Sequence, residues 1–367
     1  MKLETALVPL KHHICNMKLK LATILFISSF VSLQAQTKVT PFHPGQRADG
    51  VTYCLPRTQV KAELQAIKTV YTPGEFAAYA ERYMHVQNVN PSATTRFEIV
   101  KIKLSTVGVP DTTKVFTVKL KDKSIAPMMQ LTESGIVQSI NRISGSPAEN
   151  HQEDVLPSTR HQLNSRQYFT EEMLSATSSA RMAELVAQEI YDIRESKNEI
   201  MRGQVDAMPK DGASLKIVLD RLNQQEQALT QTFVGYTDTT YLSQSYIFEP
   251  TKDTDKEILF RFSKKLGFVD ADDLAGAPYY ISVKDQHTVI LPDEKENEKR
   301  KIEGIVYNLP SMAQISVFDG TRTMISQKLP IAQFGMIDQL APTLFNKNTT
   351  TKVLFDTSTG ALLDLQQ

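Results

Sequence analysis

The chain has 367 residues, with 41 basic and 41 acidic side chains, 41% hydrophobic residues and no Trp. A balance this even excludes the strongly basic surface that nucleic acid demands, and it gives no polybasic grip on anionic lipid. Of only two cysteines, one lies in a segment expected to be removed, so no intramolecular disulfide is expected.

Residues 17–36 (MKLKLATILFISSFVSLQAQ) read as an export signal. Lys18 and Lys20 form the positive end, residues 21–31 the apolar run, and Ala35 the small residue before a cut. The apolar run is about 11 residues, against the roughly 20 that a spanning helix needs. No Cys follows it where acylation would require one, so a lipoprotein is not expected. Met17 then reads as the true start. His12, His13 and Cys15, which look like a small metal cluster, are discarded with residues 1–36. That segment takes four Lys and one Glu with it, leaving 37 basic and 40 acidic side chains. The expected product is exported, periplasmic or at the cell surface or secreted, with no transmembrane segment.

Residues 37–143 read as an N-terminal β-rich domain, with strands at 51–55, 59–66, 95–104, 114–120 and 136–140. One helical interruption is expected at 73–83, where Pro73 opens the turn and Phe76, Tyr79, Ala80 and Tyr83 share a face. Residues 144–169 lose periodicity and read as a linker. Residues 170–234 read as an antiparallel helical hairpin. Its first helix carries Met182, Leu185, Val186, Ile190, Ile193 and Ile200 at helical spacing. Its second carries Leu215, Val218, Leu219, Leu222, Leu229 and Phe233, after a turn at 207–212. Residues 235–367 return to strands, at 241–248, 257–262, 279–283, 288–291, 304–308 and 313–318. A closing hairpin is expected from 352–356 and 361–365. The charged run 293–301 reads as a solvated loop.

An internal echo links the two β-rich regions. Gly50-Val51-Thr52-Tyr53-Cys54-Leu55-Pro56 matches Gly304-Ile305-Val306-Tyr307-Asn308-Leu309-Pro310 at Gly50/Gly304, Tyr53/Tyr307, Leu55/Leu309 and Pro56/Pro310. Each copy leads to an expected helical turn, after Pro73 and after Pro330, and to a Gly-centred strand pair, around Gly135 and Gly360. The expected fold is α+β: two sandwich- or barrel-like β-rich domains, with the echo pointing to duplication, and the helical hairpin between them. The motif itself reads as a structural packing element in which Pro ends strand pairing.

Chemistry-bearing spacings are sparse. No Gly-rich phosphate loop, His-Glu-x-x-His or Gly-x-Ser-x-Gly occurs. Histidines 43, 85, 151, 161 and 287 show no metal-ligand spacing, so no metal or cofactor is expected. Cys54 reads as a buried thiol. Asp270, Asp272 and Asp273 read as turn or cap residues rather than a calcium loop. Tyr53 and the Tyr279-Tyr280 pair are the aromatic candidates for stacking on sugar. Strand alternation sends one ring of the pair inward and the other outward.

Four stretches carry a resemblance. They are residues 71–76 with the following Ala-Tyr-Ala, residues 182–194, Leu259-Phe260-Arg261-Phe262-Ser263, and residues 273–280. The chain resembles, over nearly all of 45–365, an uncharacterised family of exported Bacteroidetes proteins known as domain of unknown function 4831. The resemblance implies compartment and lineage, and it brings no activity or catalytic residue. On that lineage, Asp111-Thr112-Thr113 and Asp238-Thr239-Thr240 are similar to a short O-glycosylation acceptor, so Thr112 and Thr239 are candidate modification sites. The preferred expectation is a non-enzymatic exported interaction protein that binds a protein or glycan partner. An envelope hydrolase acting on glycan or peptide is one alternative, to be recognised by two carboxylates roughly 5–9.5 Å apart in a cleft. A structural assembly subunit is the other.

Overall fold

A computed structural model describes residues 37–42, 50–120, 128–142, 159, 161–204, 211–292, 301–345 and 351–367. The leader 1–36, His43, His151, residues 144–158 of the expected linker and all but Lys301 of the charged run lie outside the described residues.

The chain is mostly β. In order, the strands are β1 (Thr37–Pro41), β2 (Val51–Thr72), β3 (Thr94–Leu120), β4 (Met129–Leu131), β5 (Val137–Ile140), β6 (Tyr236–Phe248) and β7 (Thr254–Ser263). β8 (Gly267–Val269), β9 (Ala277–Asp285), β10 (Ile305–Phe318), β11 (Thr323–Leu340), β12 (Lys352–Phe355) and β13 (Leu362–Gln366) follow. The helices are few: α1 (Ala80–Met84), α2 (Glu171–Leu174), α3 (Ser179–Arg202) and α4 (Gly212–Val234). The strands form three open antiparallel sheets, in the orders β1-β3-β2-β6, β11-β10-β9-β7-β8 and β13-β12-β5-β4. Pairing crosses the boundaries expected at 143 and 235. β6 lies along β2 from Val60↔Phe248 to Thr72↔Tyr236, and β12 meets β5 at Val353↔Ile140.

Several strands are longer than the sequence reading allowed, and proline is the reason. Residues 51–55 and 59–66 are one strand, as are 95–104 with 114–120 and 304–308 with 313–318. Pro56 and Pro110 face each other beside a register shift, where a missing N–H costs the ladder nothing. Pro310 sits within a second shift. The helical turn expected after Pro330 is strand: Pro330 pairs with Met312 in the middle of β11. Residues 288–291 are not strand. Thr288 is held by Ser311, and Ile290 is 91% exposed. The helix expected at 73–83 shrinks to a 3₁₀ turn, Ala77–Tyr79, and α1. There the Phe76 N–H is drawn to the Thr232 carbonyl at 2.7 Å instead of starting a helix.

Side-chain alternation distributes these strands between two cores. Along β2, Tyr53 and Leu55 are buried at odd positions, then Val60, Ala62, Leu64 and Ala66 at even ones. The switch at Pro56–Thr58 turns one strand from the second core to the first. The first core joins the inner rows of two sheets, with Val60, Leu64 and Leu104 against Phe260, Ile281, Ile315 and Val317. The second gathers Tyr53, Leu55, Phe116, Val306 and Leu340 with Val137, Ile140, Val353 and Phe355 of the third sheet. A third cluster packs Phe76, Ala80 and Met173 on Val186, Ile190, Leu229 and Phe233 of α3 and α4. Ser178 and Asp211 cap the two long helices, accepting from the N–H groups of Arg181 and Ser214. Arg194 and Lys197 of α3 hold Glu226 of α4 at 2.6 and 2.7 Å. No helix among the described residues is long and apolar enough to cross a membrane.

The two motif copies meet in this second core. The Tyr53 hydroxyl donates to the Val306 carbonyl at 3.1 Å and accepts from the Val306 N–H at 2.8 Å. Asn308 Nδ2 donates to the carbonyls of Pro56 and Thr359. The Cys54 N–H donates to Gly135 and the Asn308 N–H to Gly360, each at 3.0 Å. Both acceptor glycines sit in turns at positive φ, 83° and 74°. The register slips match as well. From Cys54 to Pro56 the partner runs from Val115 to Pro110, and from Leu309 to Ser311 it runs from Met336 to Ile331. In each case the partner strand carries a four-residue excursion, 111–114 and 332–335.

Candidate functional site

The outer face of the five-stranded sheet carries ordered rows of polar side chains. Ile281, Val283, Ala313, Ile315 and Val317 point inward and are fully buried. The alternate positions therefore point outward. Strand register sets them in rows: Tyr280 beside Phe318, Ser282–Ser316–Ser326, and Lys284–Gln314–Lys328. The Tyr280 and Phe318 rings stack at 5.6 Å with 30° between planes. Lys256 Nζ lies 4.1 Å from the centre of the Tyr280 ring. The Ser316 and Ser326 hydroxyls are 2.6 Å apart, and Gln314 Nε2 donates to Ser326 at 2.7 Å. Lys284 is steadied by Asp255 at 3.0 Å. A half-exposed aromatic pair thus borders a ladder of hydroxyl, amide and ammonium groups on a sheet surface. Such a face offers ring stacking at one end and hydrogen bonding along its length.

The motif residues make no surface site. Tyr53, Leu55, Pro56, Gly304 and Tyr307 are buried, Leu309 and Pro310 are half-buried, and Gly50 alone is exposed. Cys54 is 8% exposed, and burial raises its thiol pKa; its Sγ lies 3.6 Å from the Ser134 carbonyl oxygen. Thr112 is exposed on the first excursion, beside Asp111, whose carboxylate accepts from the Thr113 N–H and hydroxyl. Thr239 is half-buried within β6, bonded through its backbone to Thr159. Tyr279 stacks on core Phe260 at 4.7 Å while Tyr280 faces outward, the division that alternation predicts. Asp273 accepts from the Ala275 N–H in a turn that Arg261 clasps through the Ala271 and Gly276 carbonyls.

One cluster has the residue types of a hydrolase. Asp285 accepts from the Ser311 hydroxyl at 2.6 Å and lies 3.1 Å from His287 Nδ1. A nucleophilic serine needs the histidine between it and the carboxylate. Here the carboxylate stands between, and Ser311 is fully buried. The cluster ties the 285–288 turn onto β10: the Ser311 hydroxyl lies 3.2 Å from that of Thr288, which accepts from the Met312 N–H.

The outer-face rows escaped the sequence reading because β11 was not read as a strand. The sequence reading gave 313–318 as a strand but named none of its residues as site candidates, and it missed the Ser326 and Lys328 that complete the rows.

The class defined so far is a mostly β protein of three open antiparallel sheets with few helices. The chain belongs to the family defined by the domain of unknown function DUF4831, whose family model matches residues 49–363. No curated protein and no solved structure matches it.

Proposed function

We propose that this is a non-enzymatic exported protein of the cell envelope or surface, and that the outer face of the five-stranded sheet binds a glycan partner. The supporting observation is the Tyr280–Phe318 pair beside the Ser282–Ser316–Ser326 and Gln314 ladder. Rings supply stacking surface for a sugar's apolar face, and the ladder offers donors and acceptors at the strand spacing of about 4.8 Å. Export rests on the 17–36 segment. The test is retention on insoluble peptidoglycan and on immobilised envelope polysaccharide. Wild type is retained, and Tyr280→Ala and Phe318→Ala reduce retention at least about tenfold. Equal retention of all three refutes the face. Recovery of a crosslinked envelope protein in place of glycan transfers the role to a protein partner.

The same reading extends to the architecture. We infer a sandwich of the two larger sheets, supported by their shared core, and an antiparallel hairpin of α3 and α4, supported by the Glu226 ion pairs. Descent of β2–β3 and β10–β11 from one duplicated unit is supported by the matched register slips and the matched Gly135 and Gly360 contacts.

A further inference from the structure

Sheet edges are templates for further strands, and most edges here are blunted. Along 94–115, β3 carries Arg96, Glu98, Lys101, Lys103 and Pro110 and two register slips. β11 carries Lys328, Pro330 and its excursion, and β7 has Asp255, Lys256 and Glu257. β4, β8 and β13 are 3, 3 and 5 residues long. These are the usual protections of an edge: charge, proline, bulge and brevity.

β6 has none of them beyond Asp238. Residues 239–248, Thr-Thr-Tyr-Leu-Ser-Gln-Ser-Tyr-Ile-Phe, hold no charge, proline or glycine, and β6 pairs with β2 without a slip. Its outer side already meets Thr159 at one end. Thr159 and Thr239 exchange both backbone hydrogen bonds at 3.1 Å, as antiparallel partners. That exchange fixes which groups face outward. The N–H and C=O of Thr239 do, and with the two-residue repeat so do those of Tyr241, Ser243, Ser245 and Ile247.

The sequence of this edge is complementary to itself. Centred on Gln244, an antiparallel second copy sets Ser243 against Ser245, Leu242 against Tyr246 and Tyr241 against Ile247. Each facing pair is matched in character, hydroxyl to hydroxyl and apolar to aromatic, with no like charges opposed. The register also obeys the backbone. Tyr241↔Ile247 and Ser243↔Ser245 are pairs of outward-facing groups and exchange hydrogen bonds, while Gln244↔Gln244 falls on a non-bonded position at the two-fold axis. Ile247 is 52% exposed, and Leu242 and Tyr246 are only partly covered by the first core.

We propose that β6 is a homodimerisation edge, joining two copies antiparallel about Gln244 into a continuous eight-stranded sheet. It is a closed two-fold contact, so it ends at two copies.

The test uses the purified full chain in sedimentation velocity, with two charge variants. Wild type forms a concentration-dependent dimer. Ser243→Lys with Ser245→Lys, and separately Ser243→Glu with Ser245→Glu, place like charges opposite one another twice and weaken the dimer about tenfold or more. Mixing the two variants restores dimers that contain one of each, because a register with 243 facing 245 pairs Lys with Glu, and the next arm fixes that register. Gln244→Cys provides an independent arm. Facing Cα atoms at a non-bonded antiparallel position lie about 4.5 Å apart, inside the disulfide range of about 4.4–6.8 Å, so oxidation gives a covalent dimer. This arm is made in a Cys15→Ser background, and Cys54 is buried. A strictly monomeric wild type, charge variants that dimerise unchanged, or a ladder of larger species overturns the proposal. Protection of the Tyr241, Ser243, Ser245 and Ile247 amides in a monomer assigns the edge to another strand of the same chain and overturns it equally.

Discussion

Replacing Tyr53 with Phe removes one oxygen and strands two backbone groups. The hydroxyl accepts from the Val306 N–H at 2.8 Å and donates to the Val306 carbonyl at 3.1 Å. Both residues are 1% exposed, so water does not reach the site without disrupting the second core. Val306 faces Gln339 across β10–β11, but its own amide and carbonyl point away from that ladder, toward Tyr53. A buried backbone group left without a partner costs about 1–3 kcal/mol, so the variant should lose about 2–4 kcal/mol. The ring, which packs 5.9 Å from Phe116, is kept. Tyr307→Phe is the internal control from the second motif copy. Its hydroxyl donates to Asp338 Oδ2 at 3.1 Å, in a part-buried position where the carboxylate keeps access to water. About 1 kcal/mol is expected there. Urea unfolding of the three proteins, with equal m-values, measures both losses. Equal losses within about 0.5 kcal/mol would refute the cross-brace as the larger of the two contributions.

The remaining predictions test other joints of the structure. Burial raises the pKa of Tyr53 well above its ordinary 10 and that of Tyr307 to about 12. The stability tied to these raised values is complete below pH 10 and is lost as pH climbs beyond it, so alkaline unfolding should coincide with phenolate absorbance and weaken in Tyr53→Phe. Gly335→Ala sets a Cβ 1.8 Å from the Leu309 carbonyl oxygen and should cost more than about 3 kcal/mol in thermal or urea melts. Gly212→Ala meets nothing within 4 Å at the start of α4 and should gain about 0.5 kcal/mol. Burial works against the charge of Glu226, but hydrogen bonds from Lys197 and Arg194 outweigh it and lower its pKa below the ordinary 4.5. That contribution is present above pH 4.5 and lost as pH falls through the lowered value. Glu226→Gln should cost about 1 kcal/mol at pH 7 and flatten the acid limb of the stability profile. Intact mass of the protein from its native host should show any O-glycan lost in Thr112→Ala and kept in Thr239→Ala, since only Thr112 is exposed on an excursion.

Much of the local structure was legible because it is carried by local signals. The apolar repeats of α3 and α4, and the alternation of residues 279–283 and 313–318, mark these elements without reference to the rest of the chain. Proline misled in a consistent way. At Pro56, Pro110 and Pro310 the sequence reads as broken strand, yet register slips let each strand continue past its proline, and the helical turn read after Pro330 is strand in regular register. The apolar Ile290-Leu291 looked like strand but is held outward by the Thr288–Ser311 contact. Strand partnership was not legible at all. That β6 joins β2, and β12 joins β5, depends on which apolar faces meet in space, and no periodicity encodes it. The outer-face rows failed to appear for the same reason, since each row is a product of register between three strands.

The cross-brace has a consequence for how the molecule is made. Tyr53 finds Val306 across 253 positions, and Thr58 binds Ser358 across 300. At a synthesis rate of about 5–20 residues per second, the early strands wait on the order of 10–60 s for the segments that cover them. Neither motif copy has a finished interior until the other has left the ribosome. Contacts of such long sequence separation are closed late, so the early strands keep apolar rows uncovered through much of synthesis.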